Sequence, residues 1–100
     1  MIKLLMSWDI KPGQENEYFE FVVREFVPGI MRLGIQPTEA WFTVCGNGPQ
    51  ILTGGVTEDV DTMNNILSSA DWAELKGKLL EYVTNFNHKI VPHRARFQML

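Results

Sequence analysis

The chain has 100 residues, 45% of them hydrophobic and 21% charged, with a formal net charge of −3. That length suits one domain, residues 1–100, whose core is modest enough to profit from oligomerisation, and the composition excludes a disordered or fibrous chain. The nine Lys and Arg residues are scattered, gathering only at Lys89, Arg94 and Arg96, so there is no dense basic face of the kind that tracks phosphates, and nucleic acid is not an expected partner.

One cysteine, Cys45, rules out an intrachain disulfide and fits a reducing cytoplasm. The opening residues 1–6 are too short for a secretory h-region, and no apolar run nears the ~20 residues of a membrane span. A cytoplasmic chain that does not engage a membrane is the expectation.

Residues 2–10 alternate, with Ile2, Leu4, Met6, Trp8 and Ile10 on one face and Lys3, Leu5, Ser7 and Asp9 on the other. Period two over nine residues predicts a strand, which Pro12-Gly13 breaks. From Gln14 the spacing of Phe19, Val22, Val23, Phe26, Ile30 and Leu33 predicts an amphipathic helix. Glu15, Glu17 and Glu20 lie in its early turns, where the helix dipole favours them. Tyr18 and Phe21 fall off that stripe and are candidates for a cleft roof or a dimer contact. Pro28-Gly29 predicts a kink, or a short second helical piece ending at Gly34.

Thr38 to Cys45 and Gln50 to Thr57 flank Gly46-Asn47-Gly48-Pro49, a hairpin pattern. Gly54-Gly55 inside the second strand marks a bulge, room for a ligand, or admission of a packed aromatic. Asp59 or Asp61 caps a short helix carrying Val60, Met63, Ile66 and Leu67. Asp71, with Glu74 at capping-box spacing, starts a longer helix with the stripe Trp72, Leu75, Leu79, Val83 and Phe86, ended by Val91-Pro92. His88 then falls at that helix's C-terminal end, where a cation suits the dipole. Ala95, Phe97 and Met99 alternate in a last strand.

The order β-α-β-β-α-β with right-handed crossovers is the α+β, ferredoxin-like arrangement: a four-stranded antiparallel sheet with helices on one face. The middle strands are apolar on both faces, since Ile51 and Leu52, or Trp41 and Phe42, point opposite ways. The helix-free face therefore needs a cover, and in so short a chain a second copy, sheet against sheet, is the simplest.

The Lys11-Pro12-Gly13 break, the acidic-aromatic first helix, the Gly46-Asn47-Gly48-Pro49 hairpin and the segment Ser69-Ala70-Asp71-Trp72-Ala73-Glu74-Leu75 together resemble the dimeric α/β-barrel superfamily. That group includes the antibiotic-biosynthesis monooxygenases, the haem-degrading monooxygenases and NIPSNAP-type domains, and the likeness is one of whole-chain layout. It implies a homodimeric barrel with a cleft in each protomer. It also implies, for the monooxygenase branch, oxygenation of an apolar or aromatic small molecule with no metal or organic cofactor. In haem-degrading relatives a Trp acts with a later His and a first-strand Asn. Here Trp72 is present, but Tyr82 stands where the His is expected and Ser7 where the Asn is expected, which speaks against haem chemistry.

The candidate residues are Tyr82 and His93 for proton transfer, and Ser7, Trp41 and Trp72 for ligand contact. Each has a plainer role: Trp72 as a helix anchor, His93 as a surface histidine, Ser7 as a solvated group. Two histidines and one cysteine match no zinc spacing. The alternative to a small-ligand protein is a non-catalytic interaction module assembled through its sheet face.

Overall fold

The first strand, β1, runs Ile2–Ile10 and keeps the alternation that its sequence sets: Leu4, Met6, Trp8 and Ile10 are buried, while Lys3, Leu5, Ser7 and Asp9 are half-buried. The structure, a computed structural model, describes residues 1–42 and 50–92, and only the backbone for residues 39–42. The turn at 46–49, Cys45, His93 and the expected last strand lie outside the described residues.

A continuous helical run follows β1: α1 (Glu15–Phe21), a π-helical turn (Val22–Phe26) and α2 (Val27–Leu33). Of the two outcomes expected at Pro28-Gly29, the second helical piece ending at Gly34 is present as α2, joined to α1 through this widened turn. Proline has no N–H, and its ring crowds the carbonyl four residues back. In the wider turn the N–H of Val27 bonds to the Val22 carbonyl, five residues back, and one residue is gained. That extra residue shifts the buried face. Tyr18, Phe21, Phe26 and Ile30 point inward; Phe19 and Val23, assigned to the core stripe from sequence, are 48% and 71% exposed.

α2 closes as a Schellman motif on Gly34, whose φ of 106° suits glycine. Ile35 N bonds to the Ile30 carbonyl at 2.9 Å and Gly34 N to that of Met31 at 3.0 Å.

Strand β2 covers Gln36–Phe42 and pairs antiparallel with β3 (Ile51–Thr57), with a bulge on β2 between Pro37 and Glu39 facing Gly55 and Gly54. The Gly-Gly pair thus meets both a bulge and a close approach: a Cβ on Gly55 would collide with Ile35 Cγ2. At Gly55 the packed group is aliphatic. α3 (Val60–Leu67) is capped by Asp59, which accepts from Thr62 N at 2.8 Å.

α4 (Ala70–Leu79) is capped by Ser69, which accepts from Trp72 N at 3.1 Å, so Asp71 lies in the first turn and is not the cap. α4 stops at Leu79, well short of the proline stop expected from sequence, and β4 occupies Val83–Pro92. Val83, Thr84, Ile90 and Val91 are β-branched and pair with β1, and that tertiary pairing outweighs the helical spacing of Leu79, Val83 and Phe86. His88 therefore stands on a strand, not at a helix end.

The sheet order is β2-β3-β1-β4, antiparallel throughout, the α+β ferredoxin-like layout. The core lies between this sheet and the helices, built from residues such as Met6, Trp8, Ile30, Met63 and Leu79.

Candidate functional site

Trp8, in a central strand, collects the aromatic side chains of the helix-side layer. Phe86 stacks on it at 5.8 Å and 8°, and Phe26 meets it edge-on at 5.8 Å and 84°. Phe86 reaches this side because β4 carries one extra residue opposite Ser7–Asp9, with Asn85 at φ 58°. Lys76 Nζ lies 4.9 Å from the Phe86 ring centroid, a cation–π contact. Trp8 Nε1 donates to the Tyr18 hydroxyl at 2.8 Å. Burial pushes the Tyr18 phenol above its ordinary pKa, an effect that the Trp8 hydrogen bond partly opposes.

The layer reaches the surface at Phe19, which meets Tyr18 at 5.1 Å, and at Tyr82. Phe26 contacts Phe21 at 6.3 Å, and Phe21 stacks with Tyr82 at 5.1 Å and 28°. Phe21 and Tyr82 form the apolar part of a groove of about 370 Å³, rimmed by Asn16, Glu17, Glu20, Arg24 and Glu25. Tyr82 is fixed there by the turn after α4, whose carbonyl accepts from Lys11 N at 2.8 Å. Glutamates outnumber the one Arg on the rim, and Glu25 is also paired with Lys78 at 3.4 Å. The rim therefore disfavours anions. A second groove of about 350 Å³ lies between α2 and α4, with Leu33 and Leu75 beside charges of both signs.

The helix-free face is different. The register sets Asn87, Ser7, Leu52 and Trp41 in one row across all four strands. At the end of this face Asp9 accepts from Gln50 N at 2.9 Å and from Asn85 Nδ2 at 2.9 Å, and Gln50 Oε1 accepts from Ile10 N at 2.8 Å. These bonds, Asn85 first, hold the Asp9 carboxyl below its ordinary pKa. It staples three chain segments together and is poorly placed to act as a base.

No family model matches the chain, and no curated protein matches it. Solved structures do. A NIPSNAP domain protein from Burkholderia xenovorans, itself uncharacterised, superposes with a TM-score of 0.70 at 12% identity, over 95% of this chain and 96% of its own. An Arabidopsis thaliana protein gives 0.78 at 11% identity, over 94% and 96%. A candidate antibiotic biosynthesis monooxygenase from Nitrosomonas europaea gives 0.65 at 8% identity, over 93% and 98%. The chain shares the α+β ferredoxin-like fold of these structures.

Within this fold the sequence-derived candidates separate into two groups. Trp72, 4% exposed, packs on Phe26 at 6.4 Å, and Tyr82 stacks on Phe21, so both touch the helix-side aromatic layer. Ser7 and Trp41 share a row on the opposite face of the sheet, so the sheet divides the candidates and they form no single constellation. His93 lies outside the described residues. Among the described residues no group of three or more His, Cys, Asp and Glu side chains could hold a metal, and no helix is long and apolar enough to cross a membrane.

Sequence reasoning missed the centre of the layer, Trp8 with Tyr18. A usable signal was present: a Trp on the buried face of a strand must find an acceptor for its N–H, and Tyr18 offers a hydroxyl in the next element.

Proposed function

We propose that this chain is a homodimer that holds a small apolar or aromatic molecule between sheet and helices, entering through the groove over Phe21 and Tyr82. The observation that carries this reading is the chain of aromatic contacts from that groove through Phe26 to Trp8. The groove's size falls within the range of small-molecule sites, which pair apolar walls with a few polar groups. Its acidic rim supports a neutral or cationic molecule over an anion.

The homodimer reading is supported by the helix-free face, where Leu5, Leu52 and Val91 are only half-buried. Lys3 and Asp9 stand at opposite ends of this face of β1. Two copies stacked with their β1 strands opposed would set unlike charges against each other, as a two-fold contact allows.

Cofactor-independent oxygenation is the enzymatic form of this proposal. The ligand itself would supply the electrons to dioxygen, and Tyr82 would be the hydroxyl at the mouth. A second reading, a non-catalytic assembly module, is favoured by the close spacing of the rings, which can equally be core packing. Native mass spectrometry of freshly purified protein, with an absorbance spectrum on the same sample, separates the two. The expected result is a dimer with a stoichiometric extra mass. A dimer that carries nothing and takes up no aromatic probe would support the assembly module, and a monomer at micromolar concentration would remove the homodimer.

A further inference from the structure

Trp8 is 1% exposed and Tyr18 3% exposed. A phenol can accept and donate at once. The Tyr18 oxygen already accepts from the indole, while its own proton has no acceptor among the described residues. A donor so deeply buried is costly to leave unmatched and points to something that accepts it. Tyr18 and Phe21 lie three residues apart on the buried face of α1, so the phenol stands about one helical turn from the groove floor.

Resting on the reading of that groove as the mouth of a small-molecule site, we propose that Tyr18 is the site's polar anchor and selects a neutral aromatic ligand with an acceptor oxygen, such as an aryl ketone, quinone or ester. An acceptor is required because the indole N–H already points at the phenol oxygen, leaving the proton as the group on offer. A neutral ligand is favoured because Glu17, Glu20 and Glu25 outnumber Arg24 at the mouth, and Lys76, the cation beside the rings, is already seated on Phe86. A flat ring system suits the stacked Phe21 and Tyr82 rings that line the groove. Burial keeps the phenol protonated, and so a donor, through the neutral range. The Trp8 hydrogen bond polarises the hydroxyl and strengthens it as a donor.

A matched pair of probes tests this: 1-tetralone, which carries a carbonyl, and tetralin, which lacks it. Their affinities are measured by calorimetry for the full chain and for Tyr18→Phe, together with the infrared carbonyl stretch of bound 1-tetralone. Tyr18→Phe is expected to weaken 1-tetralone by up to about tenfold, the worth of one net hydrogen bond, and to leave tetralin unchanged. The bound carbonyl is expected to shift to lower frequency in the full chain. An unshifted carbonyl overturns the proposal whether or not Tyr18→Phe folds. Equal effects of the substitution on both probes also overturn it, as does a water that stays on Tyr18 when 1-tetralone is bound. If neither probe binds the full chain, the small-molecule reading fails and takes the anchor with it; if both bind and only the Tyr18 signatures are missing, the anchor alone fails.

Discussion

A Cβ at Gly55 would collide with Ile35 Cγ2 and stand 3.3 Å from the Gln36 carbonyl oxygen. Ile35 cannot retreat easily, because the Schellman turn at Gly34 fixes its backbone. Gly55→Ala is therefore expected to cost about 1–3 kcal/mol, the usual penalty of overpacking, read as a lower urea midpoint with an unchanged m-value. Asp9 supplies a different residue-scale test. Its carboxyl is held below its ordinary pKa by Asn85 and Gln50, so its contribution is present above the unfolded pKa of about 4 and is lost as pH falls through the lower folded value. Asp9→Asn would turn a donor toward either Gln50 N or Asn85 Nδ2. The melting temperature of the variant should lie below that of the parent at pH 7, and the gap should close in the acid range. A gap that is constant down to pH 2 would show that the carboxylate's charge plays no part. Of these two sites, the sequence displayed the Gly-Gly anomaly but not its cause, since Ile35 is brought there by a turn 20 residues earlier. The hydrogen-bond partners of Asp9 come from positions 50 and 85, beyond any local pattern.

The helical run from Glu15 to Leu33 shows how one extra residue rewrites an element. A strict 3.6-residue period assigned Phe19 and Val23 inward; the π turn sends them out and brings in Tyr18 and Phe21, while Phe26 and Ile30 stay inward as expected. Deleting Val23, which is mostly exposed, should remove the inserted residue and demand a regular α-helix. With Pro28 kept, that helix lacks an N–H and crowds a carbonyl, at a cost of about 3 kcal/mol. The deletion alone should thus be far less stable than the deletion combined with Pro28→Ala, as chemical denaturation would reveal. Equal stability would mean that Pro28 does not set the π turn. The boundary of α4 escaped sequence reading for a related reason. Leu79, Val83 and Phe86 keep helical spacing, yet Val83 and Phe86 reach the core from a bulged strand. Periodicity identified the buried residues correctly and the element wrongly, because two geometries can bury the same set.

At the scale of the whole molecule the element order was legible because period-two and period-3.6 segments alternate cleanly and right-handed crossovers leave few topologies. The site was less legible: the sheet that organises the fold also separates Ser7 and Trp41 from Trp72 and Tyr82. Which face a strand residue takes follows from alternation, but which face hosts a ligand depends on what covers the other. The helix-free face decides this. Leu52 lies near its centre, in the row with Ser7 and Asn87, and is half-buried in the single chain. If a second copy covers that face, Leu52→Lys places two like charges in a dry two-fold contact, where neither has a partner. In the monomer the same substitution sits at a surface and should change stability by less than about 0.5 kcal/mol. Sedimentation of the variant at micromolar concentration should then give the 11.5 kDa chain mass, against twice that for the parent, with an unchanged circular dichroism spectrum. A variant that still sediments as a dimer would move the contact elsewhere and free the helix-free face to be the ligand surface, with Ser7 and Asn87 as its polar groups in place of Tyr18 and Tyr82.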